Sequence, residues 1–225
     1  IILSDLENRA NSSVNRAREF LVDDALRITT SSYMQDEDRI SSISFISTNL
    51  AKAAEELKRF GRVNSAQRVM LYGGNKRLLT LYQHDGEQES TGIYVVLQGG
   101  DDVYLPLDDP TQLTPMLLGR TEIPEISVPE GISSYYPTEI PDTLSVDLFA
   151  EGNAFGLRIM APVVDQEETT GFLIIDMVYT QRLVERYAAL SQTAVNFFIQ
   201  EQFSVGTLPT QTHIEPENTA HLVPC

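Results

Sequence analysis

Apolar residues recur in steps of three and four through the first sixty positions, and that spacing restricts the N-terminal quarter of the chain to helix. Leu3, Leu6, Ala10, Val14, Ala17, Leu21, Ala25 and Ile28 form one stripe; Ile40, Ile43, Ile46, Leu50, Ala53, Leu57 and Phe60 form a second. A repeat near 3.6 residues keeps such positions on one face, which must then be buried against a partner surface. The first stripe predicts a helix from Ile1 to Thr29, about 40 Å long at ~1.5 Å per residue. The run Thr29-Thr30-Ser31-Ser32-Tyr33 is expected to end it, because these side chains are β-branched or compete for backbone hydrogen bonds. Asp36 is the expected N-cap of the second helix, with Glu37 and Asp38 in the first turn, where the helix dipole favours negative charge. Lys58, Arg59 and Arg62 suit its C-terminus, and Gly61 is the expected left-handed terminator.

From Arg68 the period changes to that of strands. Arg68 to Tyr72 and Arg77 to Gln83 flank Gly73-Gly74-Asn75-Lys76 and read as a hairpin. Ile93 to Gln98 and Val103 to Leu105 follow, separated by the turn Gly99-Gly100-Asp101-Asp102. Between 107 and 143 stand Pro110, Pro115, Pro124, Pro129, Pro137 and Pro141. Each proline removes a backbone donor and constrains its neighbour, which predicts a long irregular excursion with one short helix near 112–118. Leu144 to Phe149, Phe155 to Val164 and Gly171 to Tyr179 return to strand. The last two are strongly apolar, are joined by the polar turn 165–170, and are expected at the centre of the sheet. Gln181 to Leu190 reads as helix, and 194–208 as either a hairpin or a helix, with a second module beginning there as one option. The fold class is α+β, with long N-terminal helices packed on an antiparallel sheet. The expected regions are a helical stalk and backing helix at 1–62, a sheet domain at 63–208 and a flexible tail at 209–225.

Thirty-two acidic against sixteen basic side chains give a formal net charge of −16. Nucleic acid and anionic membrane surfaces are therefore poor partners. The single cysteine, Cys225, allows no disulfide within the chain. Three histidines, at 84, 213 and 221, fall in a turn and a tail, which argues against a His-based catalytic or metal site. Gly73-Gly74-Asn75-Lys76 lacks the Ser or Thr and the helix of a phosphate loop. No catalytic residue, no metal and no cofactor are expected. No apolar run is long enough to span a bilayer. The opening Ile-Ile-Leu suggests a piece of a longer chain, with these residues ending a spanning helix that precedes it.

Arg158 and Asp176 are lone charges within apolar strands, and a turn centred near Glu167 sets them opposite one another. One reading is a structural cross-strand ion pair. The other places Arg158 on a concave sheet face, where its planar fork receives a carboxylate or another anionic ligand group. Tyr94, Tyr104, Tyr135 and Tyr136 are the candidates to line the same space, each offering a ring and a hydroxyl. Core packing and loop anchoring are the competing roles for all four.

Phe155-Gly156-Leu157-Arg158-Ile159-Met160-Ala161-Pro162-Val163, a polar loop and Thr170-Gly171-Phe172-Leu173-Ile174-Ile175-Asp176 resemble the closing strands of Cache domains, the PAS-like sensors of bacterial transmembrane receptors. The shared pattern is an apolar strand ending in proline, a turn, and a glycine-led apolar strand running into a helix. The resemblance implies an antiparallel PAS-like sheet facing an extracytoplasmic small-molecule pocket, and membrane attachment through segments outside this chain. It also implies signalling to a kinase, cyclase or chemotaxis module, with the N-terminal helix as relay and homodimer contact. The Arg-Trp-Tyr cluster of amino-acid-binding members has no counterpart, since the chain has no Trp. The function expected is ligand sensing without catalysis. The alternative is an interaction or assembly domain that works through its helices and encloses no pocket.

Overall fold

The computed structural model describes residues 2–35, 43–85, 88–96, 102–107, 129, 132–136, 139–151, 154–199 and 202–208. Helices α1 (Ile2–Leu21), α2 (Asp24–Gln35) and α3 (Ile43–Asn64) precede the sheet. The first apolar stripe is thus divided between two helices. The break falls at Asp23, whose carboxylate accepts a hydrogen bond from the Ala25 amide at 2.8 Å and so caps α2. The Thr-Ser run expected to end the helix lies inside α2 instead. Thr30 donates its hydroxyl to the Leu26 carbonyl one turn back, at 3.0 Å, and Thr29 donates to the Asn49 carbonyl of α3 at 3.1 Å. Hydroxyls satisfied in this way no longer compete with the helix. The expected cap at Asp36 and the helix at 112–118 lie outside the described residues.

Gly61 is not a terminator. Helix α3 continues to Asn64, and Ser65 takes the positive φ of 54° that ends it. Gly61 sits beneath the Tyr82 ring, where a Cβ would approach Cε1 to 2.2 Å, so close packing requires the glycine.

Strands β1 (Arg68–Gly73), β2 (Leu78–His84), β3 (Glu89–Val96), β4 (Asp102–Pro106), β5 (Ser145–Glu151), β6 (Ala154–Asp165) and β7 (Glu168–Tyr179) form one antiparallel sheet. Its order is β4-β3-β2-β1-β7-β6-β5, so the first and last strands of the sheet pair at its centre. Helix α4 (Gln181–Ser191) follows, and β8 (Asn196–Ile199) with β9 (Gln202–Gly206) settles the 194–208 segment as a hairpin. The fold is α+β with the long helices on a PAS-like sheet, as the spacing and the resemblance predict.

Period-two alternation gives the sheet two faces. On one, Val69, Leu71, Ile159, Val163, Leu173 and Ile175 pack against Ala17, Phe20, Leu26, Ala53, Leu57 and Phe60 of the helices. Ala17 of the first stripe and Ala53, Leu57 and Phe60 of the second are buried here, whereas Ile28 is 49 % exposed; Phe20 stacks on Phe60 with centroids 4.4 Å apart. On the far face Met70, Tyr72, Leu78, Leu81, Phe172 and Ile174 are buried under Ile132, Tyr136 and Ile140 from the proline-rich excursion. Gly171, which leads the apolar part of β7, lies where a Cβ would come 2.3 Å from the Tyr72 carbonyl oxygen. At one end of the sheet Phe155, Val184, Val205 and Leu6 gather α4, the β8–β9 hairpin and the start of α1. Among the described residues, no helix is long and apolar enough to cross a membrane.

Candidate functional site

Strand register alone lines up a polar row across the far face. Asp147 on β5 faces Arg158 on β6, which faces Asp176 on β7, which faces Arg68 on β1. Arg68 in turn faces Gln83 on β2, and Gln83 faces Ser90 on β3. The neighbouring row is apolar through its middle, with Met160, Ile174, Met70 and Leu81 side by side. One step of two residues along the strands therefore separates charge from hydrocarbon.

Asp176 anchors the row and is 0 % exposed. Arg158 donates to both of its oxygens, Nε to Oδ1 at 2.7 Å and Nη2 to Oδ2 at 2.8 Å, while Arg68 Nε stands 3.3 Å from Oδ2. A carboxylate taken fully out of water survives ionised only with such partners. The hydrogen bonds to Asp176 hold the Arg158 guanidinium above its usual range, against the opposing effect of its burial. Its position is fixed further by Phe149, whose ring centroid lies 5.1 Å from Cζ. The Arg158 side chain nevertheless keeps 33 % of its surface in contact with solvent. Among the described residues, its Nη1 has no hydrogen-bond partner.

The tyrosines divide. Tyr136 stands beside the ion pair, its ring packed on Tyr72 and Phe172 at 5.8 and 5.1 Å, and its hydroxyl donating to the Met160 sulfur at 2.9 Å. Tyr94 and Tyr104 are buried opposite one another on β3 and β4, with β2, β1 and β7 between them and Arg158. They are part of the packed apolar field and do not border the charge. Tyr135 is 52 % exposed and contributes its backbone, bridging to Arg77. Sequence reasoning missed Arg68, Tyr72 and Phe149. Arg68 had a signal, a lone charge opening an apolar strand as Arg158 and Asp176 interrupt theirs; the two rings had none.

The cover of this face is pinned by backbone. Tyr72 donates its hydroxyl to the Ser133 carbonyl at 2.9 Å, Leu78 N donates to Ser134 O at 2.9 Å, and Tyr136 N to Lys76 O at 2.9 Å. Burial pushes the Tyr72 hydroxyl above its usual range, so it is a proton donor throughout the physiological range. At the other end of the β6–β7 hairpin, Asp165 accepts from Ser31 Oγ at 2.7 Å and Arg27 Nη2 at 2.8 Å, and Thr170 shares a 2.7 Å hydrogen bond with Thr30. The strands that carry the ion pair are thus tied directly to α2. Among the described residues, no cluster of His, Cys, Asp and Glu could hold a metal ion. An open groove of about 490 Å³ lies on the helical side instead, floored by Phe20 and Phe60 and flanked by Arg16, Arg59 and Val63.

No protein-family model matches the chain, and no curated protein does. Solved structures do. One is the extracellular domain of a protein assigned as a histidine kinase, vpHK1S-Z8, at 10 % identity over 97 % of this chain and 73 % of that one, with a TM-score of 0.47. A domain assigned to a sensory box/GGDEF family protein of Vibrio parahaemolyticus matches at 11 % identity, over 92 % and 78 %, with a TM-score of 0.39. The ligand-binding domain of the Campylobacter jejuni chemoreceptor Tlp3, in complex with L-valine, matches at 12 % identity, over 87 % and 74 %, with a TM-score of 0.36.

Proposed function

We propose that this chain is the extracytoplasmic ligand-sensing domain of a bacterial membrane signalling receptor, of histidine kinase, cyclase or phosphodiesterase, or chemotaxis type, and that it has no catalytic activity of its own. A small molecule binds on the far face at Arg158. One observation carries this reading: an arginine whose guanidinium is held by a fully buried carboxylate while its side chain stays one-third exposed, at the border between a polar row and an apolar field. Preorganised charge beside hydrocarbon is the usual chemistry of a small-molecule site. The relay runs along the β6–β7 hairpin to Asp165 and Thr170 and through them to α2, then α1. Homodimerisation through the N-terminal helix would use the polar side of α1, because Ala10, Val14, Ala17 and Leu21 already pack on the sheet.

Thermal-shift screening of metabolites against the purified domain tests this reading, followed by calorimetry with Arg158→Ala. A ligand whose affinity falls in that variant supports it; a tight ligand indifferent to the substitution removes Arg158 from the site. A second reading, an assembly domain without a pocket, is favoured by the solid packing of Met70, Tyr72, Leu78, Leu81, Phe172 and Ile174 under the loop, none more than 4 % exposed. Failure of every metabolite to raise the melting temperature is its expected signature.

A further inference from the structure

The two edges of the seven-stranded sheet are guarded unequally. Strand β4 is a protected edge: it is short, it ends at Pro106, which has no amide hydrogen to offer, and its Tyr104 and Leu105 are buried. Strand β5 is the opposite edge. It holds no proline and no lysine, and it pairs with β6 in continuous register from Ser145↔Met160 to Glu151↔Ala154, with no bulge to twist it away. The outer backbone groups of such a strand are a ready ladder for one more.

The side chains of β5 suit that use. Val146 lies opposite Ile159 and Leu148 opposite Leu157, so both stand on the helical face. Ile159 and Leu157 are buried there, while Val146 and Leu148 are 40 % and 44 % exposed, and Ala150 beyond them is exposed too. The apolar core thus runs sideways past the helices and ends uncovered at an open strand edge. On the other face Asp147 is exposed and makes no ion pair among the described residues; the Arg158 it faces gives Nε and Nη2 to Asp176. Asp142, Asp147 and Glu151 are acidic, no Lys or Arg stands among residues 142–151, and the whole chain carries a net charge of −16.

We infer that β5 is a docking edge for an extended segment of a partner protein in which apolar residues alternate with Lys or Arg, added as a further strand. The apolar side chains of that segment cover Val146, Leu148 and Ala150, and its cations come beside Asp147. Charge selects this occupant over a second copy. Pairing β5 with β5 lines up two acidic strands with no cation between them, in chains that already repel one another. The inference does not depend on a ligand at Arg158.

The probe is the acetylated and amidated peptide Lys-Val-Lys-Leu-Lys-Val-Lys, labelled with fluorescein and titrated with the intact domain by anisotropy. Salt of about 0.15 M screens loose surface attraction. Binding should slow hydrogen exchange at the β5 amides. The peptide Glu-Val-Glu-Leu-Glu-Val-Glu, and the lysine peptide with alternate backbone amides N-methylated, should each bind at least about tenfold more weakly. Asp147→Lys and Leu148→Lys, both at exposed positions, should each weaken the lysine peptide at least about tenfold. Glu168→Lys, at the tip of the β6–β7 hairpin and with the same charge change as Asp147→Lys, should leave its affinity within about twofold. Circular dichroism should show the wild-type fold in all three variants. No binding at about 1 mM domain, equal binding of the acidic or N-methylated peptide, or equal losses from Glu168→Lys and Asp147→Lys would overturn the inference. So would concentration-dependent dimerisation of the free domain that Leu148→Lys abolishes, since that gives the edge to a second copy.

Discussion

The two faces of the seven-stranded sheet are buried by different means. The helical face is closed by apolar volume: α1, α2 and α3 lay Leu26, Ala53 and Leu57, each 0 % exposed, onto Leu71 and Ile175. The far face is closed by a strap of irregular backbone and crossed by a row of charges whose central carboxylate is equally buried. Volume packing tolerates no opening without a cavity cost, whereas a strap held by a few hydrogen bonds can part locally. Under the proposed function, the helical face serves as scaffold and the far face admits the ligand.

The largest effect should come from the row. Asp176→Asn leaves two guanidinium groups in a desolvated site and is expected to cost about 3–5 kcal/mol in urea unfolding. A cost near that of a surface substitution would mean the far face does not depend on its ion pair. Leu57→Ala on the helical face should cost about 2–5 kcal/mol through the cavity it opens beneath α3. That cost should appear with no change in ligand affinity, and a change in affinity would break the division between the faces. Gly61→Ala drives a methyl into the Tyr82 ring and should cost about 1–3 kcal/mol, read as a lower melting temperature.

Smaller effects probe the fastenings. Tyr72→Phe deletes one hydrogen bond to the strap and should cost about 0.5–1.5 kcal/mol. Faster hydrogen exchange at the Leu78 and Tyr136 amides, which pair with the strap and the turn beneath it, is the matching local readout. Asp165 is the least costly of these sites. The Ser31 hydroxyl first, and Arg27 second, hold its carboxyl below the ordinary 3.8. A depressed folded value means the contribution is present above 3.8 and lost as pH falls through the folded value. Asp165→Asn should therefore lower the melting temperature slightly at neutral pH, and the difference from wild type should vanish as the pH falls below about 4.

Much of the architecture was legible because it depends on local period. The Gly73-Gly74-Asn75-Lys76 turn and the Pro-ended and Gly-led strands each announce an element within a few residues of its observed bounds, and the two apolar stripes announce helix, the first of them divided between α1 and α2. The misreadings share a cause. Whether Thr29 and Thr30 break a helix depends on whether Asn49 and Leu26 carbonyls are there to accept their hydroxyls. Whether Gly61 ends a helix or makes room depends on Tyr82, twenty-one positions away on another element. The site follows the same pattern: the facing of Arg158 and Asp176 is a hairpin property, visible from the turn between them, while the meeting of Asp176 with Arg68 is not.

By itself the sequence determined the class of the fold, the identity of the buried faces and the cross-strand pair, since all three follow from spacings of two to four residues and from one tight turn. Only the tertiary structure decided that the first and last strands of the sheet lie side by side. That adjacency, between residues more than a hundred positions apart, brings Arg68 to Asp176 and separates Tyr94 and Tyr104 from Arg158. Strand order is set by how the whole sheet buries its two faces, a sum over distant contacts that no local period encodes. That sum makes Asp176 a closed carboxylate, buried between two arginines.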